Sequence, residues 1–336
     1  MSTIEIIEAG PYTSIQDRGR FGEQRYGLGP AGAMDRLSLG IANVLVGQAP
    51  GDAAIEIGPL PMTFRVTEGV VRIAVAGAVR GMTSDGRALS GHETILLNEG
   101  DRVQMRAASQ GVFTYLAFEG GIRAEPVLGS LSVHARAGIG CPYPRALQPG
   151  DRITVGGAST RETERLLPPL AETHGPLRVV LGPQDEHFTP AAIAAFLAAD
   201  WTISSTSDRM GFRLEGPKLE HAKGFNIISD GIAFGAIQVP GSGQPLVLMA
   251  DRGTTGGYPK IAVVISADLP RLAQMPVGSK IRFAAVSVAV AQLEARAMAV
   301  TLAGLKDQVR EIGGGELSSA FLLGANLAGG AVDALE

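Results

Sequence analysis

The sequence predicts a mainly β protein of two domains, and three observations carry that prediction. Of its 336 residues 45 are glycine, well above the usual share of roughly 7%. No collagen-like period accompanies them and hydrophobic residues stay at 45%, so the excess marks turns in a folded chain. Short β-branched runs at 3–8, 62–66, 70–76, 94–97, 102–106 and 112–118 are punctuated by these glycines, the pattern of an antiparallel sandwich or barrel. One turn also recurs: Glu99-Gly100-Asp101-Arg102-Val103, Pro149-Gly150-Asp151-Arg152-Ile153 and Gly278-Ser279-Lys280-Ile281. Each sets a glycine able to adopt positive φ before a basic and a β-branched residue that open a strand. The recurrence suggests related β units, although any β protein can reuse such a turn.

The remaining elements follow in order. Residues 35–46 place Leu37, Ile41, Val44 and Leu45 at helical spacing behind Asp35, a suitable N-cap. The polar, charged stretch at 156–176 reads as a linker. A strand at 177–181 precedes a helix at 190–199, opened by Pro190 where proline costs little. Strands are predicted at 233–239, 246–249, 261–265 and 281–285, and a helix from 286 to about 310, ended by Gly313-Gly314-Gly315. The weakly amphipathic 317–335 segment can dock on a partner or on its own barrel. The domain boundaries expected from this reading are 1–165, 166–290 and a C-terminal helical extension at 291–336.

Several functions are disfavoured. A formal charge of -4 offers no general attraction to nucleic acid or anionic lipid. A single cysteine, Cys141, excludes an internal disulfide and any multi-thiolate metal site, and suits a reducing compartment. No uninterrupted apolar run approaches the ~18 residues of a membrane span, and residues 1–8 alternate like a strand rather than a signal peptide, so a cytoplasmic protein is expected. Gly27-Leu28-Gly29-Pro30-Ala31-Gly32 spells the dinucleotide fingerprint, but the residues before it are polar and no βαβ alternation follows. No Walker A spacing, His-Glu-x-x-His or Gly-x-Ser-x-Gly elbow occurs, and His92, His134, His174, His187 and His221 lack ligand spacing, so no resident metal site is expected.

Three polar clusters in Gly-rich turns remain. The first runs Ser14-Ile15-Gln16-Asp17-Arg18-Gly19-Arg20, with Asp35 and Asn43 close behind; the second is Ser207 to Gly216; the third spans Gly235 to Lys260. Singly, each is as well explained by intramolecular Arg-Asp pairing. Together they resemble a site. Arg209 and Arg213 offer bidentate recognition of carboxylate or phosphate, Gln238 and Gln244 can read a lactam or urea, and Thr254, Thr255 and the amides of Gly256-Gly257 can form an anion-binding nest. Of only five lysines, Lys260 alone sits inside a Gly-rich polar cluster, where an ammonium can neutralise a transferring group.

At these clusters the sequence closely resembles the allophanate hydrolase subunit 2 family of biotin-dependent carboxyltransferase-like proteins, which includes the 5-oxoprolinase C subunit, KipA and the carboxyltransferase domain of urea amidolyase. The matching residues are Thr13 to Arg20, Gly32-Ala33-Met34-Asp35, Ala42-Asn43, Gly120-Gly121-Ile122, Leu128-Gly129-Ser130, Gly182-Pro183-Gln184, Ser207-Asp208-Arg209-Met210-Gly211, Gly235 to Pro240 and Thr255 to Lys260. A departure is Gly140-Cys141-Pro142-Tyr143-Pro144-Arg145, where the family more often shows a Gly-Arg pair. The resemblance implies two cyclophilin-like β-barrels with short helices and a C-terminal helical segment. It implies a homologous smaller partner of allophanate hydrolase subunit 1 or KipI type and a LamB/YcsF-type third subunit. The implied reaction is ATP-dependent opening of 5-oxoproline to L-glutamate, with ATP and Mg²⁺ required and this chain inactive alone. The alternatives are carboxyl transfer to a urea-like acceptor, with biotin on a separate carrier because no Ala-Met-Lys-Met site surrounds any lysine, and a regulatory partner-binding protein of KipA type.

On this reading Arg209, Arg213 and Lys260 hold substrate and phosphoryl charge, Gln238 and Gln244 orient the lactam, and Asp251 binds magnesium or a water. Arg18, Asp35 and Asn43 tie the N-terminal loop to the site, and Tyr258 is a wall or a donor. The glycines are expected to divide into turn formers such as Gly100, Gly150 and Gly278 and site formers such as Gly19, Gly211, Gly256 and Gly257.

Overall fold

A computed structural model describes residues 1–158, 164–167, 170 and 174–312. The protein is mainly β, with one sheet curled into a half-barrel and another nearly closed. The first sheet has nine strands, and two long ones dominate it: Val71–Ser84 and Arg102–Phe118 pair antiparallel along their length. The second of these replaces the two strands predicted at 102–106 and 112–118. Gly111, at φ +79°, and a register slip near Val79 let one strand bend where the sequence suggested a break. Its other edge pairs first with Met62–Glu68 and then with Ala54–Ile57. Ser2–Ala9, Arg152–Val155 and Ser14–Gln16 extend the sheet.

Period-2 alternation explains why both faces of this sheet are buried. Ile73, Val75, Leu116 and Phe118 point into the half-barrel's own core. Ala74, Ala76, Tyr115 and Ala117 face the other way, against helix α1, Arg36–Leu45. The small alanines let the helix approach closely. As predicted, Asp35 caps α1, accepting from the backbone of Leu37 and Ser38.

The second sheet runs in the order Lys280–Ile281, Trp201–Ile203, Gly211–Glu215, Leu246–Leu248, Ala236–Gln238, Lys260–Val264, Leu177–Leu181, Phe283–Ala285. Its first and last members are separated only by Arg282, so the order returns on itself and the sheet becomes a barrel. Trp201, Phe196 and Phe283 fill the interior. Helix α2, Pro190–Ala198, starts at Pro190 with Thr189 as cap. The recurrent turns behave as predicted: Gly100, Gly150 and Gly278 all have φ between +85° and +94° and open space where a Cβ would sit.

One continuous core joins α1 and the outer face of the first sheet to the interior of the second barrel. Helix α3, Leu269–Ala273, and helix α4, Val288–Gln308, complete the seam. Gly40 of α1 lies where a Cβ would meet the Leu302 side chain of α4 at 2.9 Å. After α4 the chain forms a strand, Arg310–Ile312, which pairs with Glu164–Leu166; the sequence reading placed neither strand, because each is three residues long and inside stretches read as linker and helix end. By length and composition α4 is apolar enough to cross a membrane, although Glu294 and Arg296 interrupt it, so the expected lack of an uninterrupted apolar run holds. Here it packs on α1, and its Glu294 pairs with Arg178 at 3.1 Å. The 317–335 segment lies outside the described residues.

Candidate functional site

The predicted residues separate into two places. The first is the seam between the barrels, where Arg209 enters from the turn before Gly211–Glu215. Its Nε and Nη2 donate to Asp251 at 2.9 and 2.8 Å, Nη2 also to the Gly32 carbonyl at 2.8 Å, and Nη1 to Glu56. Glu56, wholly buried, also accepts from the Met34 amide at 2.8 Å and the Tyr115 hydroxyl at 2.6 Å. Tyr115 accepts in turn from the Asp35 amide. Asp35 accepts from Ser38 and from Gln274, whose amide also clasps the backbone of Val112 and Phe113. Burial alone would lower the Arg209 pKa, but Asp251 and Glu56 hold it above the ordinary guanidinium value. Burial pushes Glu56 up, with Arg209 the chief opposing influence, and burial likewise raises Asp35 against its hydrogen bonds.

Arg209, Asp251 and Asp35 therefore use their polar atoms to join the barrels. A magnesium ion at Asp251 would have to displace a guanidinium from both carboxylate oxygens.

The second place is the outer face of the second barrel. Cross-strand partners share a face, and the register sets Arg213 beside Leu246, Leu246 beside Gln238, and Gln238 beside Lys260. Three predicted residues thus lie in one row across four strands. Lys260 is buried, and its Nζ donates to the exposed Asp230 at 2.9 Å. Gln184 closes this unit, donating to Asp230 at 3.1 Å and accepting from the Lys260 amide at 3.1 Å. The hydrogen bond from Lys260 is the main reason Asp230 has a pKa below the usual carboxylate range. Overhead, Asp230–Gly231 pairs with Thr255–Gly256, and the Ile227 amide donates to Gly257. A Cβ at Gly256 would stand 2.4 Å from Gln238 Nε2, so this glycine leaves room for that amide. Tyr258 is 40% exposed at the rim. Thr254 accepts through its carbonyl from the Ile232 amide.

Other predicted residues lie apart. Gln244 is held in a reciprocal pair with the Gly216 backbone at 3.1 and 3.0 Å. The Asn43 amide donates to the Asp52 carbonyl, and the Arg18 stem lies against Gly51. Gly211 and Gly19 are packing glycines, pressed on Leu246 and on the Ala31 carbonyl. The Asp17–Arg20 motif interlocks with the Leu128-Gly129-Ser130 motif: Asp17 accepts from Ser130, Ser132 and the Leu131 amide, and Arg20 donates to the carbonyls of Val127, Ser130 and Ser132. At the departure from the family pattern, Arg145 binds Asp151 with two bonds of 2.7 and 2.8 Å. Among the described residues no three His, Cys, Asp or Glu side chains group as a metal site.

Against this geometry the comparisons with known proteins are decisive for family. The profile described as "Carboxyltransferase domain, subdomain A and B" matches residues 26–285. The chain belongs to that carboxyltransferase family. Within it, the chain is 38% identical to the 5-oxoprolinase C subunit of Escherichia coli over 85% of this chain and 92% of the relative. The Haemophilus influenzae 5-oxoprolinase C subunit is also 38% identical, over 92% and 98%. Urea amidolyase of Saccharomyces cerevisiae is 30% identical over 85% of this chain, which spans 17% of that protein. The solved Kluyveromyces lactis urea amidolyase superposes with a TM-score of 0.83 at 27% identity, covering 95% of this chain and 20% of its own.

Sequence reasoning missed Glu56, Tyr115 and Gln274 in the carboxyltransferase seam, and Asp230 beside Lys260. Only Glu56 carried a signal, as the one charge within Ala54–Ile57. Asp230 stands 30 positions from Lys260 in a segment with no strand pattern.

Proposed function

We propose that the chain is the C subunit of an ATP-dependent 5-oxoprolinase that opens the lactam of 5-oxoproline to L-glutamate. It would work in the cytoplasm with a homologous smaller subunit and a LamB/YcsF-type subunit. The observation that carries this reading is the near full-length match, at 38% identity, to two relatives of that name. The urea amidolyase match spans only 17% of its relative.

The row on the second barrel suits this chemistry. A lactam resists hydrolysis because its C–N bond shares π character. Opening it breaks that bond and adds water, and ATP hydrolysis consumes a second water. Negative charge gathers on the carbonyl oxygen and on the phosphoryl group as this happens, which calls for positioned cations and amide donors more than for a nucleophile. Lys260 supplies a buried ammonium whose one carboxylate partner among the described residues, Asp230, is exposed and open to competition by an arriving anion. Gln238 supplies an amide beside it and Arg213 a cation at the open end of the row. ATP would not be bound through a P-loop.

The test is to assemble the chain with both partner subunits and measure ATP hydrolysis on adding 5-oxoproline. Stimulated hydrolysis with release of glutamate is expected. A response only to a biotinylated carrier plus urea would replace this reading with carboxyl transfer. No response to either would leave a partner-binding protein.

A further inference from the structure

Among the described residues Arg252 and Arg36 are neighbouring cations without a counter-ion. Arg252 is 7% exposed, yet no carboxylate lies within ion-pair distance of it among the described residues. Its Nε and Nη1 make long bonds of 3.2 and 3.3 Å to the carbonyls of Ile232 and Met249. Its Nη2 has no hydrogen-bond partner among the described residues and is not sealed from solvent. The contrast with Arg80 is instructive. Arg80 also lacks a carboxylate, but all its nitrogens donate, to Thr114 and to the carbonyls of Gly58, Leu60 and Arg106. Every Arg80 nitrogen has a partner, whereas among the described residues one Arg252 nitrogen has none.

Arg36, the first residue of α1, has no side-chain hydrogen bond or ion pair among the described residues and is exposed. Both guanidinium groups lie over one ring, that of Phe234, with Cζ at 5.9 Å for Arg36 and 5.5 Å for Arg252. Arg36 also lies 5.7 Å from the Phe21 ring. The ring faces soften the charges only in part. Burial, and to a lesser degree the positive charge of Arg36, push the Arg252 pKa down to about 10, as burial alone does for Arg80. The arrangement is enforced across the seam. Arg36 belongs to the first domain's helix and Arg252 to the second barrel, and a Cβ at Gly29 would stand 2.7 Å from the Arg252 carbonyl. Phe234 also lines, with Leu181, Pro183, Val263 and Ile265, an open surface groove of about 430 Å³ that neither arginine lines.

We propose that Arg36 and Arg252 are the receptor for the carboxylate of a small acid whose apolar body packs on Phe234. Two guanidinium groups beside one ring can supply the counter-charge and the fork of donors that a carboxylate takes. The identity of the acid as 5-oxoproline rests on the function proposed above; the carboxylate site itself does not.

Equilibrium dialysis with the full-length chain, alone and in complex with its partner subunits, tests this with 5-oxoproline, its carboxamide, acetate, malonate and inorganic phosphate. The acid is expected to bind at least tenfold more tightly than the carboxamide. Arg252→Gln and Arg36→Gln are each expected to abolish that preference, and in the complex to raise KM while kcat changes less than threefold. Arg36 is exposed, so its variant remains informative where Arg252→Gln fails to fold. Equal binding of acid and carboxamide, unchanged preference in folded Arg36→Gln, or displacement of the acid by equimolar phosphate would overturn the proposal. Binding of acetate or malonate but not 5-oxoproline, abolished in Arg36→Gln, would keep the site and refute the assigned function. Binding of no carboxylate at all would refute the site.

Discussion

Arg209 and Lys260 are both buried cations beside aspartates, yet their surroundings differ in a way that separates structure from availability. In the seam, Arg209 has two carboxylates and a carbonyl, and Glu56 behind it has three donors. On the barrel's outer face, Lys260 has one carboxylate among the described residues, and that carboxylate is exposed. A group with every partner inside the fold holds the fold together. A group with one partner at the surface can exchange it for a ligand at little cost.

The largest test of this contrast is Arg209→Met. Removing the guanidinium leaves Glu56 and Asp251 facing each other without a cation, and breaking a buried pair in this way costs about 3–5 kcal/mol. Denaturant unfolding should show that loss, and a midpoint shift under about 1 kcal/mol, the scale of an exposed pair, would mean the seam is not what joins the barrels. Next comes Lys260→Met in the assembled complex. Turnover should fall about a hundredfold, the scale of losing one positioned charge-stabilising donor, with stability changed by under about 1 kcal/mol, the scale of an exposed pair. Equal losses of stability and turnover would erase the distinction between the two cations.

Two glycines give a smaller comparison. Gly256→Ala should lower turnover more than stability, because the new methyl displaces the ends of the Gln238 and Ile232 side chains rather than backbone. Gly100→Ala, at φ +94° in open space, should cost about 1–2 kcal/mol of folding through left-handed strain and leave turnover alone. The reverse pattern would contradict the division into turn and site glycines. The smallest effect is electrostatic. Asp230 has a folded pKa below its unfolded value because Lys260 donates to it. Its contribution is present above the ordinary aspartate value and disappears as pH falls through the lower, folded one. Carbon NMR of the Asp230 carboxyl should show that depressed midpoint, and Lys260→Met should return it towards ordinary aspartate. An unmoved midpoint would break the assigned pairing.

Much of the fold was legible residue by residue. Asp35 capping α1, Pro190 starting α2, and Gly100, Gly150 and Gly278 opening strands are local effects of one side chain or one dihedral on its neighbours. The resemblance to the carboxyltransferase-like family was legible in the ordered motifs, from Thr13-Ser14-Ile15 to Tyr258-Pro259-Lys260. The bend at Gly111 was not, because a Gly-rich gap inside an apolar pattern reads equally as the end of a strand. Nor was the assignment of polar residues to roles. Asp17, Arg20, Gln244 and Asn43 are of the types that bind ligands, and the structure engages each with backbone or side chains inside the fold.

By itself, then, the sequence determined the class of fold, the caps and turns, and the set of residues from which a site can be built. Only tertiary structure decided that Glu56 reaches Arg209 across 153 positions, that Arg213, Gln238 and Lys260 share a row, and that Arg36 meets Arg252 over Phe234. Local conformation depends on dihedral and hydrogen-bond preferences within a few residues. The partner of a buried charge depends on which distant surfaces close over it, and no spacing along the chain encodes that.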